Sequence, residues 1–180
     1  SDERGERFGT YLDGWAFAAA TYFTRYDDLV DTQTIGATQT KINSGKARSM
    51  GAEANAATTW GVWMFSFGYN YLDARNETLD EPLRLSPHHQ ATFSAAQQLG
   101  PVVVELRDTY WSEFMDRHPI SNALTTLPSW NTIDLEFRTL GLTDWEVKAG
   151  VSNIFDRPRE LTMGYPEPQR RIFASALRYF

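Results

Sequence analysis

Residues 63 to 71 alternate between aromatic residues and small or mostly polar ones. One parity holds Trp63, Phe65, Phe67, Tyr69 and Tyr71, and the other holds Met64, Ser66, Gly68 and Asn70. Because successive side chains of a β-strand point to opposite faces, this segment predicts a strand with one aromatic and one small, polar face. The second face also lacks the Lys and Glu expected of a strand exposed to water. This combination is typical of a membrane-spanning β-barrel, in which lipid surrounds a hydrated lumen.

Similar alternation recurs along the chain. It predicts strands at about 3–11, 15–27, 47–58, 61–72, 89–98, 102–112, 130–139, 145–154 and 171–179. The connections alternate between short ones, at 12–14, 59–61, 99–101 and 140–144, and long ones, at about 28–46, 73–88, 113–129 and 155–170. Short turns at one end and long loops at the other are typical of transmembrane barrels, whereas soluble sandwiches rarely sort their loops in this way. The sequence therefore predicts an all-β fold, an antiparallel transmembrane meander of about eight or nine strands.

The other segments support the same assignment of faces. Val147 and Val151 share a parity with Trp145, opposite Glu146 and Lys148. The side chains predicted to face lipid therefore include Trp63, Phe65, Phe67, Tyr69, Tyr71, Val147 and Val151. On the other parity, charges such as Glu105 and Arg107 are predicted to pair across strands in the lumen, and an ordinary solvated face is the alternative.

Aromatic residues also cluster near both ends of the predicted strands. Trp15, Trp60, Trp63 and Trp145 lie beside short turns, and Tyr71, Tyr110 and Trp111 lie near the long loops. Two aromatic belts that bound an apolar band match the interfacial girdles of membrane barrels. Aromatic residues scattered through a soluble core are the alternative.

Composition excludes several functions. The 180 residues include no Cys and carry a formal net charge of −6. Disulfide scaffolds and thiolate metal sites are therefore excluded, and a nucleic-acid partner is not expected because its binders carry basic patches. No nucleophile-elbow pattern appears, so an enzyme is not predicted. Adjacent His88 and His89 would point to opposite faces, and no cofactor or metal site is predicted.

The last third of the chain carries a set of motifs. They are the Leu-Pro-Ser-Trp of 127–130 before Ile133-Asp134-Leu135, the Val-Ser-Asn-Ile-Phe-Asp of 151–156, the Gly-Tyr-Pro-Glu-Pro-Gln-Arg-Arg of 164–171, and the terminal Phe180. Upstream, the segments 26–29, 45–48 with 51–53, and 69–75 with 85–89 follow in the same order. Together these motifs resemble the C-terminal part of the barrel of TonB-dependent outer-membrane receptors. Asn153 and Asp156 are predicted to close a strand by satisfying backbone groups.

This resemblance implies a 22-stranded barrel filled by an N-terminal plug. Such receptors import scarce, bulky nutrients such as ferric siderophores or cobalamin across the bacterial outer membrane, with energy supplied through TonB. Residues 1–180 would then be the C-terminal portion of such a barrel, without the plug domain. The implied partners are outer-membrane lipid, the remaining barrel strands and plug from the same longer chain or another chain, TonB through an N-terminal region, and an extracellular chelate.

In this family the terminal Phe belongs to the signal for membrane insertion, which implies that role for Phe180. The apolar parity of the last segment holds Phe173, Leu177 and Tyr179 but not Phe180, so a bulge or register change is expected there.

Ligand contact is predicted for a chemically diverse set of residues in and near one long loop. They are Trp111, Phe114, Met115, Arg117, His118 and Trp130. Their alternative roles are girdle aromatics and solvated loop.

Two other functions stay open, a passive porin or small structural barrel and a soluble β-domain used for binding. The fragment interpretation predicts that the first or the last strand has no partner within these residues, and a sealed barrel of eight strands would contradict it.

Overall fold

A computed structural model describes residues 2–12, 14–28, 30–35, 38–43, 45–140 and 144–178. Within these ranges it contains sixteen strands, β1 to β16 in chain order. The long ones are β1 (Asp2–Leu12), β2 (Trp15–Tyr26), β5 (Ala47–Trp60), β6 (Trp63–Asn76), β8 (His89–Leu99), β9 (Val102–Trp111), β12 (Trp130–Thr139), β13 (Trp145–Ser152) and β16 (Arg171–Arg178). These form one antiparallel meander in that order, so the predicted strands and their order are confirmed.

Short strands lie in the long connections, where the sequence predicted only loops. They are the hairpin β3 (Val30–Ile35) and β4 (Thr38–Asn43), β7 (Glu81–Pro82) on the end of β6, the hairpin β10 (Phe114–Arg117) and β11 (Leu124–Leu127), and the pair β14 (Glu160–Thr162) and β15 (Tyr165–Pro166). In three of the short connections, Gly14, Gly61 and Gly100 have φ of 80°, 59° and 60°. Glycine reaches this left-handed region without the steric cost of a side chain.

The register of the large sheet fixes its two faces. Directly opposite residues of an antiparallel pair share a face, so the faces can be followed from β6 in both directions. We call the face with Trp63, Phe65, Phe67, Tyr69 and Tyr71 the aromatic face, and the opposite one the polar face. The aromatic face also holds Trp15, Phe17, Phe23, Trp60, Phe93, Val102, Val104, Leu106, Ile133, Leu135, Phe137, Val147 and Val151.

The sheet is open. In the part of the chain that the structure describes, β1 pairs only with β2, and β16 pairs only with β13. The prediction that a terminal strand lacks a partner within these residues is therefore confirmed, and these strands do not form a sealed barrel of eight.

Large apolar side chains of the aromatic face are exposed. Trp63 is 39% exposed and Phe67 is 45% exposed, whereas the buried apolar residues of the large sheet are small, such as Ala74, Ala96 and Val103. A soluble sandwich would instead bury such rings between two sheets. Across the described ranges, no helix has the length and apolar character needed to cross a membrane.

In the last strand, two apolar residues predicted to share the aromatic face do not lie on it. The register pairs Phe173 with Gly150 and Leu177 with Glu146, so both lie on the polar face, while Ile172 pairs with Val151 on the aromatic face. Gly150 makes room for the Phe173 ring, because a Cβ at residue 150 would lie 2.8 Å from Phe173 Cζ. Pairing of β13 with β16 is continuous as far as Arg178, and Tyr179 and Phe180 lie outside the described residues.

Candidate functional site

The aromatic face carries rings at both of its ends. Trp15 stacks on Phe17 and Trp63 on Phe65 near the short turns, with ring centroids 5.8 and 6.0 Å apart. Tyr71 and Tyr110 lie on this face near the long loops. Trp111, grouped with these tyrosines in the sequence, lies instead on the polar face, because it follows Tyr110 by one residue.

The polar face divides into two strips. The strip on β2, β5, β6 and β8 is formed mostly by Ala, Gly, Ser, Thr and Asn, and Ser66 and Ser94 hydrogen-bond across it at 2.8 Å between hydroxyl oxygens. The strip on β9, β12 and β13 carries charge. Glu105 and Arg107 form an ion pair there at 2.6 Å, between neighbours along one strand rather than across strands as predicted.

A shallow cleft lies where these two strips meet near the short turns. It has a volume of about 610 Å³, within the range of small-molecule sites. Its floor contains Ala16, Ala57 and Ser66, and its charged wall contains Glu105 and Arg138. Nε of Arg138 is buried without a hydrogen-bond partner. Glu105 and Arg138 thus bring both signs of charge to one wall of the cleft.

At the long-loop end, the polar face carries a stack of aromatic rings and a cation. Trp111 and Trp130 are directly opposite on β9 and β12, and their rings stack with centroids 5.2 Å apart. The guanidinium carbon of Arg159 lies 5.0 Å from the Trp130 ring centroid. Phe114 meets Trp111 edge-on at 6.0 Å. A guanidinium over an indole ring is favourable, and we call Trp111, Trp130 and Arg159 the mouth stack.

Two donors of the mouth stack lack partners. Nε1 of Trp130 and Nε of Arg159 are buried without a hydrogen-bond acceptor. Unsatisfied buried donors are costly, and both of these atoms are covered by protein. The indole rings and the guanidinium group beside them are suited to a flat ligand that carries oxygen acceptors.

The loop that supplies Arg159 is shaped by Asn153. This residue is 1% exposed and has φ of 52°. Its side-chain amide donates to the Arg157 carbonyl at 2.7 Å and accepts from the Arg157 amide at 3.0 Å. Asp156 accepts from the Arg170 amide at 2.8 Å, which confirms that Asn153 and Asp156 satisfy backbone groups where β13 ends. This turn brings the loop back over β12.

A buried carboxylate joins three long loops. Asp116 is fully buried and accepts from Arg84 of the preceding long loop, with Nη2 2.8 Å and Nε 2.9 Å from Oδ1. It also accepts from its neighbour, the Arg117 amide, at 2.8 Å and from the Met163 amide of the last long loop at 2.9 Å. We call Asp116 and Arg84 the loop latch. It holds the loops around the mouth stack in one arrangement.

The model of one protein family, described as TonB dependent receptor-like β-barrel, matches residues 6–154 of this chain. The match covers most of the chain. This chain belongs to that family. Its members are outer-membrane proteins of Gram-negative bacteria that act as receptors and transporters rather than enzymes.

Solved structures of other receptors share the fold. The copper transporter OprC is similar with a TM-score of 0.81 at 17% identity, over 98% of this chain and 30% of that one. The ferric enterobactin receptor PfeA from Pseudomonas aeruginosa, a mutant solved with enterobactin, gives 0.76 at 16% identity over 98% and 31%. The iron transporter FrpB from Neisseria meningitidis gives 0.75 at 14% identity over 98% and 30%. The chain thus spans about 30% of the length of these structures.

In this receptor barrel, only some of the residues predicted to contact a ligand lie close together. Trp111, Phe114 and Trp130 meet at the mouth stack, although Phe114 is only 3% exposed. The other three lie on the β10–β11 hairpin and its turn. Arg117 binds Glu81 at 3.0 Å, the Met115 carbonyl accepts from the Leu85 amide at 2.8 Å, and His118 Nδ1 accepts from the Ile120 and Ser121 amides at 3.3 Å. Ligand contact by all six remains a prediction.

Sequence reasoning missed Arg159 and Asp116. Both lie in long loops, where no regular alternation of side chains indicates which residues are in contact. Both also contact residues that are distant in the sequence. The Asn153 motif was the available signal for Arg159, since it marks a turn that returns the chain to the sheet. Among the described side chains, no group of three or more His, Asp or Glu residues is placed to hold a metal ion.

Proposed function

We propose that this chain forms part of the wall of an outer-membrane receptor that imports a scarce, bulky nutrient through TonB-supplied energy. A ferric siderophore or a similar chelate is the expected solute. Residues 1–180 would be the C-terminal portion of the barrel, with the remaining strands and the plug supplied by the rest of the receptor. The mouth stack carries this proposal, since it offers aromatic surface and positive charge on the polar face near the long loops.

The aromatic face supports the membrane orientation. In this proposal Trp63, Phe65, Phe67, Tyr69, Tyr71, Val147 and Val151 contact outer-membrane lipid. The long loops then lie outside the cell and the polar face lines the lumen. A solute that enters from outside would reach the mouth stack first and the two strips of the polar face afterwards.

The charged strip supports a plug as the partner in the lumen. Glu105 and Glu136 are directly opposite on β9 and β12, and like charges in that position repel. Arg107 contacts Glu105, and Lys148 on the adjacent strand interacts electrostatically with Glu136. We expect charged groups of the plug to pack against this strip, while the small-residue strip leaves open volume beside the plug.

Phe180 keeps its proposed role in membrane insertion. The terminal Phe of family members belongs to the signal for membrane insertion, and the set of motifs that ends on Phe180 supports that role here.

Uptake by a deletion strain tests the transport function. The strain is complemented with the full receptor and supplied with a panel of labelled ferric siderophores, copper chelates and corrinoids, with and without TonB. The proposal expects uptake of at least one solute, saturable and dependent on TonB. Uptake that persists without TonB would favour the passive porin, and no receptor-dependent uptake of any solute would contradict the proposal.

Variants of the mouth stack test its role with the solute so found. Arg159→Ala is expected to weaken binding about tenfold or more, since hydrogen bonds from charged groups contribute about 1.5–3 kcal/mol. Arg159→Lys should rescue it only in part, because an ammonium lacks the planar group that stacks on Trp130. Arg157→Ala is the matched control, since Arg157 lies in the same loop but contacts Asn131 at 3.2 Å. Equal losses in both alanine variants would exclude a specific role for Arg159.

A further inference from the structure

Three arginines form a row across the aromatic face at its long-loop end. Arg25 of β2 is directly opposite Arg48 of β5, and Arg48 is directly opposite Arg75 of β6. Side chains at such positions start about 4.5–5.5 Å apart and share one face. We call Arg25, Arg48 and Arg75 the arginine row. Like charges directly opposite destabilise a sheet, so this row requires a compensating negative group.

The row lies one membrane thickness from the tryptophans. Trp15 and Arg25 are ten residues apart on β2, which corresponds to about 33 Å along the strand and about 25 Å of height at a tilt of about 40°. The apolar band of an outer-membrane barrel is about 25 Å tall. If Trp15, Trp60 and Trp63 mark the inner interface, the arginine row lies at the outer one, level with lipid headgroups.

Each arginine of the row contacts one acidic neighbour. Arg25 contacts Glu77 at 3.2 Å, Arg48 contacts Asp73 at 3.5 Å, and Arg75 contacts Asp80 at 3.1 Å. Asp80 is 92% exposed, whereas Glu77 and Asp73 are 29% and 17% exposed, and each arginine is at least 35% exposed. A guanidinium has five N–H donors in a planar fork that matches phosphate oxygens, so one carboxylate contact does not saturate it.

We infer that the arginine row binds the phosphate of a lipid headgroup in the outer leaflet. A phosphomonoester carries up to two negative charges and three acceptor oxygens, which suits three guanidinium groups on rigid neighbouring strands better than three single carboxylates do. The inference rests on the proposed membrane orientation of the aromatic face but not on the identity of the imported solute. A failed uptake experiment therefore leaves it standing.

Lipid titration of the full receptor tests the site. The receptor in detergent is titrated with phosphatidic acid, whose headgroup is a phosphomonoester, and with phosphatidylcholine as the zwitterionic comparison. Bound lipid is counted by native mass spectrometry. The wild type is expected to prefer phosphatidic acid, and Arg48→Gln to weaken that binding about fivefold, since each arginine near an anionic surface contributes about 1 kcal/mol. Binding of phosphatidylcholine should not change.

Two further variants complete the test. Arg171→Gln is the matched control, because Arg171 is exposed near the long loops but lies on the polar face, and it should leave lipid binding unchanged. Asp73→Asn removes the carboxylate that competes for Arg48 and should strengthen binding, which keeps the inference testable if Arg48→Gln does not fold.

Any of four results would overturn the inference. They are equal binding of the two lipids by the wild type, an equal loss in Arg48→Gln and Arg171→Gln, no gain in Asp73→Asn, or competition by inorganic phosphate as strong as that by the lipid. The last result would indicate a site for a free anion rather than a headgroup. A wrong membrane orientation would appear separately, in a labelling experiment on β6 that does not involve the arginines.

Discussion

Asp116 illustrates how one side chain can determine the arrangement of three loops. Its carboxylate is fully buried and binds Arg84, the Arg117 amide and the Met163 amide. Removing one partner of a buried pair leaves the other uncompensated, which costs more than the pair itself contributes. The cost should appear as local opening of the loops, because the long ladders of the sheet do not depend on this residue.

We predict that Asp116→Asn weakens the latch by about 2 kcal/mol. The Met163 amide should then exchange its hydrogen about thirtyfold faster than in the wild type. Hydrogen exchange measured by mass spectrometry on the folded receptor tests this, with proteolysis of the segment 153–170 as a second readout.

Asp80→Asn is the matched control for this experiment. Asp80 also binds an arginine, at 3.1 Å, but its side chain is 92% exposed. Exchange at Met163 should remain unchanged in this variant. Equal exchange rates in the two variants would show that burial of Asp116 does not matter for the latch.

The face on which a residue lies could be predicted from the sequence where apolar and polar residues alternate regularly. Val147, Val151 and the five rings of β6 share one face, as their parity indicated. Arg159 and Asp116 follow no period, and their partners lie in loops that are distant in sequence. Phe173 shows a third case, since an apolar residue lies on the polar face because Gly150 provides room for its ring.

At the scale of strands, β5 provides a clear comparison of the two faces. Ala54 and Asn55 are neighbours near its middle, both exposed, with Ala54 opposite Tyr69 on the aromatic face and Asn55 opposite Gly68 on the polar face. Neither side chain contributes much to packing within the sheet. A charge at each position therefore reports mainly on what surrounds that face.

We predict that Ala54→Arg destabilises the barrel by about 2–4 kcal/mol, the cost of an arginine on the lipid side near the bilayer midplane. Asn55→Arg should cost less than about 1 kcal/mol, because its guanidinium stays hydrated in the lumen. Denaturant titration of the receptor in phospholipid vesicles measures both. A larger loss of stability in Asn55→Arg than in Ala54→Arg would contradict this assignment of the two faces.

Strand positions were predictable because alternation is a local signal. The short turns were equally readable from Gly14, Gly61 and Gly100, which adopt positive φ. The hairpins inside the long loops were not, since β3, β4, β10 and β11 mix polar and apolar residues without a clear alternation. Their pairing is internal to each loop, for example between Phe114 and Leu127.

At the scale of the whole molecule, the sheet formed by the described residues has two open edges, at β1 and β16. An unpaired edge in hydrocarbon leaves backbone groups without hydrogen bonds, at several kcal/mol each. Further strands of a receptor barrel would satisfy these groups.

The central claim is that the aromatic face contacts lipid and the polar face contacts water. Single cysteines can be introduced and spin-labelled at each position from 63 to 71 in the receptor reconstituted in lipid, since residues 1–180 contain no competing Cys. The account predicts that labels at odd positions are accessible to oxygen and labels at even positions to a water-soluble nickel chelate. Protection from both reagents at positions 63, 65 and 67, or the opposite phase of accessibility, would contradict it.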